Sequence, residues 1–161
     1  MATPAFADSI RIERGSSEDL DQVMDVMTRA FGSRFGEAWT RSQLAGILPM
    51  AGVVLSVASE SKTGDTIGFS LLRSVADEAE LLLLAVLPDR HRQGIGRQLL
   101  DHFINQAGRD DVNRIHLEVR DGNPAVQMYL NAGFEPVGRR RNYYQASDGS
   151  RYDAITLAKN L

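Results

Sequence analysis

A chain of 161 residues is sized for one domain around one core. Its net charge of −3 lacks the basic excess of a dedicated nucleic-acid binder, so no direct nucleic-acid role is expected. The lack of cysteine excludes disulfides, thiolate metal sites and a cysteine nucleophile, and the three histidines, His91, His102 and His116, match no metal-ligand spacing.

No apolar run reaches the roughly 18 residues of a membrane span. Residues 1–9 read as a loose leader without a signal-peptide pattern, which makes the cytoplasm the expected location. Residues 10–161 read as one domain. Ile10–Arg14 alternates as a short strand. Ser16 and Ser17 offer caps for a helix with apolar positions Leu20, Val23, Met24, Met27 and Phe31. Thr40 caps a second short helix that turns Leu44, Ile47 and Leu48 inward. Residues 52–59 and 66–75 read as strands around a turn at 62–65. Residues 80–87, ELLLLAVL, are a nearly continuous apolar run bounded by Pro88, which suits a central strand covered on both faces.

From Gly94 the period lengthens. Ile95, Leu99, Leu100, Phe103, Ile104 and Ala107 mark an amphipathic helix of about four turns. Residues 114–120 form another strand. Pro124 after Asn123 opens a short helix through Val126, Tyr129 and Leu130, which ends at Gly133. Strands at 134–144 and 152–159, joined by a turn at 147–149, close the chain. This order predicts an α/β sheet of mixed direction with helices on both faces.

The most informative stretch is 81–100. A buried strand runs into a loop holding Arg90, Arg92, Gly94, Gly96 and Arg97, and the loop opens a helix. Glycines admit a ligand close to the backbone. The first N–H groups of a helix lack internal partners, and with the helix dipole they suit a pyrophosphate. The bland alternative is a tight turn with solvated arginines. Neither a GxxxxGK[ST] phosphate loop nor a GxGxxG dinucleotide fingerprint is present.

Two side chains stand out as candidates for moving protons. Glu118 is the best base, because a carboxylate inside the apolar strand 115–120 needs a reason. Alternation equally permits it to face solvent beside His116 and Arg120. Tyr129 is the best acid; its alternative is a core tyrosine at helical spacing from Val126. Glu37 and Asp148 are loop carboxylates suited to a cationic peptide end or simply to solubility. Arg139, Arg140 and Arg141 suit RNA, the phosphates of a bound ligand or a solvated strand edge.

Two motifs carry a resemblance that covers residues 10–160. His91-Arg92-Gln93-Gly94-Ile95-Gly96 is similar to the [QR]-x-x-G-x-[GA] acetyl-CoA loop of the GNAT superfamily, with His91 departing at the first position. Tyr129-Leu-Asn-Ala-Gly133-Phe134 is similar to its Y-x-x-x-G-F. The resemblance implies a GNAT-like, mixed, mostly antiparallel sheet of about seven strands with helices on both faces. It implies acetyl-CoA as co-substrate and no metal. It assigns cofactor binding to Leu84, Ala85 and Val86, whose strand splays from its neighbour, and to Arg92, Gln93, Gly94, Ile95, Gly96 and Arg97 of the loop.

Three further segments resemble the RimI branch, which acetylates the N-terminal alanine of a ribosomal protein: Leu117-Glu-Val-Arg120 with Asn123, residues 140–144 with Asp148-Gly149 and Asp153-Ala-Ile155, and Trp39-Thr40. By that resemblance Glu118 is the base, Tyr129 the acid and Asn123 a CoA contact. The acceptor is then a protein N-terminal α-amine. A small amine, an internal lysine and a non-catalytic acyl-CoA-binding domain stay open. The stretch from Asn123 to Tyr129 is one residue shorter than that branch's spacing, about 100° of helix rotation, so the helix must start late to keep Tyr129 aimed at the sulfur. Leu87 stands where the branch often has an aspartate, and nothing physical explains it.

Overall fold

A computed structural model describes residues 10–161; the leader expected over 1–9 lies outside the described residues. The elements are β1 (Ile10–Arg14), α1 (Leu20–Phe31), α2 (Arg41–Ile47), β2 (Val53–Glu60), β3 (Thr66–Val75), β4 (Glu78–Val86), α3 (Ile95–Arg109), β5 (Arg114–Arg120), α4 (Ala125–Asn131), β6 (Glu135–Gln145) and β7 (Arg151–Asn160). They form a seven-stranded sheet in the order β1-β2-β3-β4-β5-β7-β6. Every neighbour pair is antiparallel except β4–β5, whose parallel pairing requires a crossover, and α3 supplies it.

Local chemistry sets the boundaries. Ser16 caps a 3-10 turn at Ser17–Asp19 that leads into α1. Thr40 and Gln43 form a reciprocal capping box on α2, a feature that stabilises a helix start by about 1 kcal/mol. α3 buries Ile95, Leu99, Leu100, Phe103 and Ala107, as its spacing predicts. Each large side chain among these contributes about 1.5–3 kcal/mol of burial. In α1 the buried positions are Leu20, Val23, Val26 and Met27. In α4 only Tyr129 is buried, and Leu130 is exposed because this short helix turns a single side toward the sheet.

α1 and α3 both pack on β3 and β4. A Cβ on Gly68 of β3 would meet Leu99 of α3 at 3.2 Å, so even-numbered β3 residues face α3 there. Their neighbours Ile67, Phe69 and Leu71 join the cluster that holds Val23 and Met27 of α1.

The run 80–87 is not covered evenly on both faces. The β3–β4 register shifts so that Leu71 opposes Leu83 and Leu72 opposes Leu81. Leu82 is the surplus residue of a bulge. As a result Ala79 and Leu81 join the cluster with Phe103 of α3, while Leu83 and Ala85 join the cluster with α1. Leu82 and Leu84 stay half-buried and line a cavity.

Candidate active site

The parallel pairing of β4 and β5 runs only from Glu78↔Arg114 to Leu81↔Leu117. Beyond it each strand keeps its outer partner: β4 pairs β3 as far as Val86↔Gly68, and β5 pairs β7 as far as Arg120↔Ala154. The two strands therefore part, and their facing edges border a gap. The Leu87 N–H donates to the Ile67 carbonyl at 2.9 Å. By antiparallel alternation this turns the backbone polar groups of Leu84 and Val86 into the gap, and those of Ala85 toward β3. The His91 ring places Nε2 3.0 Å from the Val86 carbonyl. The departure at position 91 is thus a side chain that folds back onto β4.

A cavity of about 610 Å³ fills the gap. Leu84, Ala85 and Val86 wall it on one side, Arg92, Gly94, Ile95, Gly96 and Arg97 at one end, and Asn123 on the far side. Of the expected cofactor-binding residues only Gln93 is off its wall. The two glycines have different reasons. Gly94 caps α3 at φ +78°, a left-handed conformation costly for any side chain. Gly96 has an ordinary conformation, and a Cβ there would point toward Met128, Val86 and Leu84, into the cavity. Arg92 is also left-handed, at φ +63°, and makes no ion pair among the described residues. Arg90, by contrast, is bound to Glu60 at 2.8 Å, and Arg97 to Asp101 at 3.0 Å.

A smaller slot of about 120 Å³ adjoins this cavity and shares Phe31, Glu37, Leu84, Asn123 and Ala125 with it. Glu118 and Tyr129 both line the slot, together with Glu80, Trp39, Tyr143 and Tyr144. The Glu118 side chain is 11% exposed, which excludes the solvent-facing alternative. Its Oε1 accepts from Arg140 Nε at 2.6 Å, and its buried Oε2 has no hydrogen-bond partner among the described residues. Burial pushes the carboxyl above the usual carboxylate range. Arg140 opposes that shift, Glu80 adds to it, and His116 opposes it.

Tyr129 faces the slot, on a helix whose start is set by Asn123. Asn123 Oδ1 accepts from the Ala125 N–H at 2.8 Å, and α4 begins at Ala125. At the other end Gly133, at φ +94°, closes the helix, and the Phe134 N–H donates to the Tyr129 carbonyl at 3.1 Å. Phe134 then packs edge-on against Tyr129 with ring centroids 6.0 Å apart. Burial, with the nearby charge of Glu37, raises the Tyr129 phenol far above its ordinary value, so it stays protonated. Tyr144 is raised for the same first reason, and its hydroxyl donates to the Glu118 backbone carbonyl at 3.4 Å.

The two loop carboxylates differ. Glu37 is not a solvated loop residue: it is 10% exposed and lines the slot, with Oε1 accepting from Arg120 and Oε2 from Asn123. Asp148 is a turn residue whose carboxylate accepts the Ser150 N–H. The three arginines are not a uniform solvated edge either. Arg139 binds Asp121 and Asp153, and Arg140 binds Glu118. Arg120 shares the Glu118 face of β5, where alternation permits exposure, but is buried, with its guanidinium 3.6 Å from the Phe35 ring centroid.

Residues 20–134 match the model of the acetyltransferase (GNAT) family. The chain belongs to the GNAT acetyltransferase family. Over 99 residues it is 42% identical to the [ribosomal protein bS18]-alanine N-acetyltransferase of Escherichia coli K12. That alignment covers 61% of this chain and 66%, just under two thirds, of the relative. The crystal structure of the ribosomal-protein-S18-alanine N-acetyltransferase from Escherichia coli superposes with a TM-score of 0.84 at 32% identity, covering 94% of each chain. Arabidopsis thaliana NAA60 in complex with acetyl-CoA shares the fold, with a TM-score of 0.79 at 16% identity over 95% of this chain and 99% of that one. Among the described residues no helix is long and apolar enough to cross a membrane, and no cluster of His, Asp and Glu is arranged to hold a metal.

Proposed function

We propose that this chain acetylates a protein N-terminal α-amine from acetyl-CoA, acting in the cytoplasm on the N-terminal alanine of a ribosomal protein. The observation that carries the reading is the buried, unpartnered Oε2 of Glu118, in a slot that joins the cavity between β4 and β5. The likeness to the bS18-alanine acetyltransferases supports the choice of acceptor.

The residues present fit acetyl-CoA. The exposed edge of Leu84–Val86 suits a pantetheine amide arm, and the open N-terminus of α3 behind Gly94 and Gly96 suits the pyrophosphate, with Arg92 free to pair with it. The co-substrate supplies an activated acyl group, and the protein supplies the proton handling. An α-amine with a pKa near 7.7–8.0 is roughly 10–20% neutral at pH 7, and a lysine well under 0.1%. Glu118 Oε2 takes the amine proton as the nitrogen lone pair forms the C–N bond. As the C–S bond breaks, its electron pair leaves on sulfur, against the Tyr129 hydroxyl. Because burial holds that phenol protonated, it acts as a hydrogen-bond donor to the developing thiolate.

The test is an acetylation screen over peptides with a free N-terminal alanine, peptides with internal lysine only, and small polyamines, with products located by mass spectrometry. Acetyl on the α-amine is expected. Acetyl on lysine or polyamine alone overturns the acceptor, and acetyl-CoA binding without any product overturns the enzyme.

A further inference from the structure

The geometry points to Arg140 as a positioning residue for the base: a resident counter-ion that grips Glu118 by Oε1 and leaves Oε2 to receive the amine proton. This rests on the reading of Glu118 as base. Arg140 lies outside the two superfamily motifs and opens the 140–144 segment, to which the resemblance assigns no role; its side chain is 63% exposed on the edge strand, where an arginine ordinarily has no specific partner. Here its aim is built into the strand. The β6–β7 register shifts between Arg140 and Tyr144, and Asn142 adopts φ +53° inside that bulge. The Asn142 N–H is held by Asp153 Oδ1 at 2.9 Å. Arg139, one residue earlier, is anchored to Asp121 at 2.8 Å and Asp153 at 2.9 Å. With the strand pinned on both sides, the Arg140 side chain reaches over Tyr143, 5.6 Å from the ring centroid, to Glu118.

Glu118 needs such a partner. It is faced by Arg140, Tyr143 and Tyr144 from β6, His116 from its own strand and Glu80 from β4, with Tyr129 and Glu37 across the slot. His116 lies 3.7 Å from Glu80 and 3.9 Å from Glu78, so its own pairing is with them. Arg140 is then the permanent cation in contact with the base. Burial and Glu80 favour a protonated, inactive carboxyl, and Arg140 favours the ionised one. A single-point contact also sets which of the two oxygens is engaged. Oε1 stays bound while Oε2 accepts the proton, and the neutral acid that results keeps Arg140 as a hydrogen-bond donor.

The experiment compares Arg140→Met and Arg140→Lys with the unaltered protein. Two readouts are used: the pH profile of kcat/KM, and a carbon-13 NMR titration of the Glu118 carboxyl, assigned by its loss in Glu118→Gln. Because Arg140 is exposed, both variants are expected to fold, and circular dichroism checks this. In Arg140→Met the acid limb and the carboxyl titration both move to higher pH, so the loss of kcat/KM is several-fold greater near about pH 6 than near about pH 9. Arg140→Lys, which keeps the charge, restores most of the shift. An equal loss at both pH values with an unmoved carboxyl titration overturns the inference while leaving the base intact. Wild-type turnover in Glu118→Gln overturns the base and this inference with it.

Discussion

Arg120 donates from Nε to Oε1 of Glu37 at 3.1 Å, although 83 residues separate them in the chain. The other oxygen of Glu37 accepts from Asn123 at 2.9 Å. The loop between α1 and α2 is thereby tied to the end of β5 and to the residue whose side chain accepts the first N–H of α4. Both partners of the ion pair are about nine-tenths buried. Removing one member leaves the other charge buried without its counter-ion, which costs about 3–5 kcal/mol. Glu37→Ala should therefore lower stability by roughly that amount, less whatever the Phe35 ring retains. Urea unfolding followed by tryptophan fluorescence measures it, and a change under about 0.5 kcal/mol would show the pair to be incidental.

For Glu118→Gln the expected loss of turnover is about 10²–10⁴-fold near neutral pH. Residual activity should climb toward high pH as the α-amine loses its own proton. Steady-state assays across pH check both, and undiminished turnover near about pH 6.5 would move the base elsewhere.

The same substitution carries an opposite expectation for stability. The folded-state pKa of Glu118 is raised above its value of 4.5 in the open chain. A raised carboxyl binds its proton more tightly when folded, so folding stability falls as pH rises through the unfolded value and stays lower above the folded one. Glutamine removes that penalty. The variant should match the unaltered protein below the unfolded value and gain in Tm at neutral pH, as thermal scans at both pH values would reveal. A lower Tm at neutral pH would mean that the Arg140 contact outweighs the burial.

At the phosphate end, Gly96→Val should weaken acetyl-CoA binding far more than Arg90→Ala does. The valine methyls project into the cavity beside Leu84 and Val86, whereas Arg90 is already committed to Glu60. Calorimetry with acetyl-CoA separates the two, and equal affinities would undo the assignment. Gly94→Ala differs again: its strain at φ +78° costs stability, by about 1 kcal/mol, before any ligand is considered.

Tyr129→Phe keeps the packing against Phe134 and removes only the donor. Acetyl-CoA affinity should hold while kcat falls, because the lost hydrogen bond strengthens as charge gathers on sulfur. Tyr143→Phe and Tyr144→Phe, whose rings line the same slot, are the comparison. If one of them, and not Tyr129→Phe, lowers kcat, the donor has been misassigned.

What was readable in the sequence was local. The glycine loop, the period of α3, the Thr40 cap and the Asn123–Pro124 start of α4 each depend on residues a few positions apart. Alternation along 115–120 also placed His116, Glu118 and Arg120 on one face. It left open whether that face met water, because the answer lies in Glu37 and Arg140, which arrive from distant loops and strands. For the same reason the pairing of the loop residue Arg90 with Glu60, 30 positions earlier, leaves no mark in the local pattern. The bulge at Leu82 was hidden because leucine fills four successive positions, so a register shift leaves no mark in the hydrophobic pattern.

That one surplus residue reconciles two parities. Ala79 and Leu81 face α3, yet Leu83 and Ala85 face α1, an inversion that strict alternation forbids and one inserted residue permits. Deleting Leu82 would leave Leu81 opposite Leu72 and Leu83 opposite Leu71, an unbroken ladder with every later side chain on the face it already occupies. What the deletion removes is the extra twist that a bulge lends its strand, at the very place where β4 leaves β5. A chain of this lineage with one leucine fewer there would be expected to keep its core and its motifs, and to part the two strands less widely.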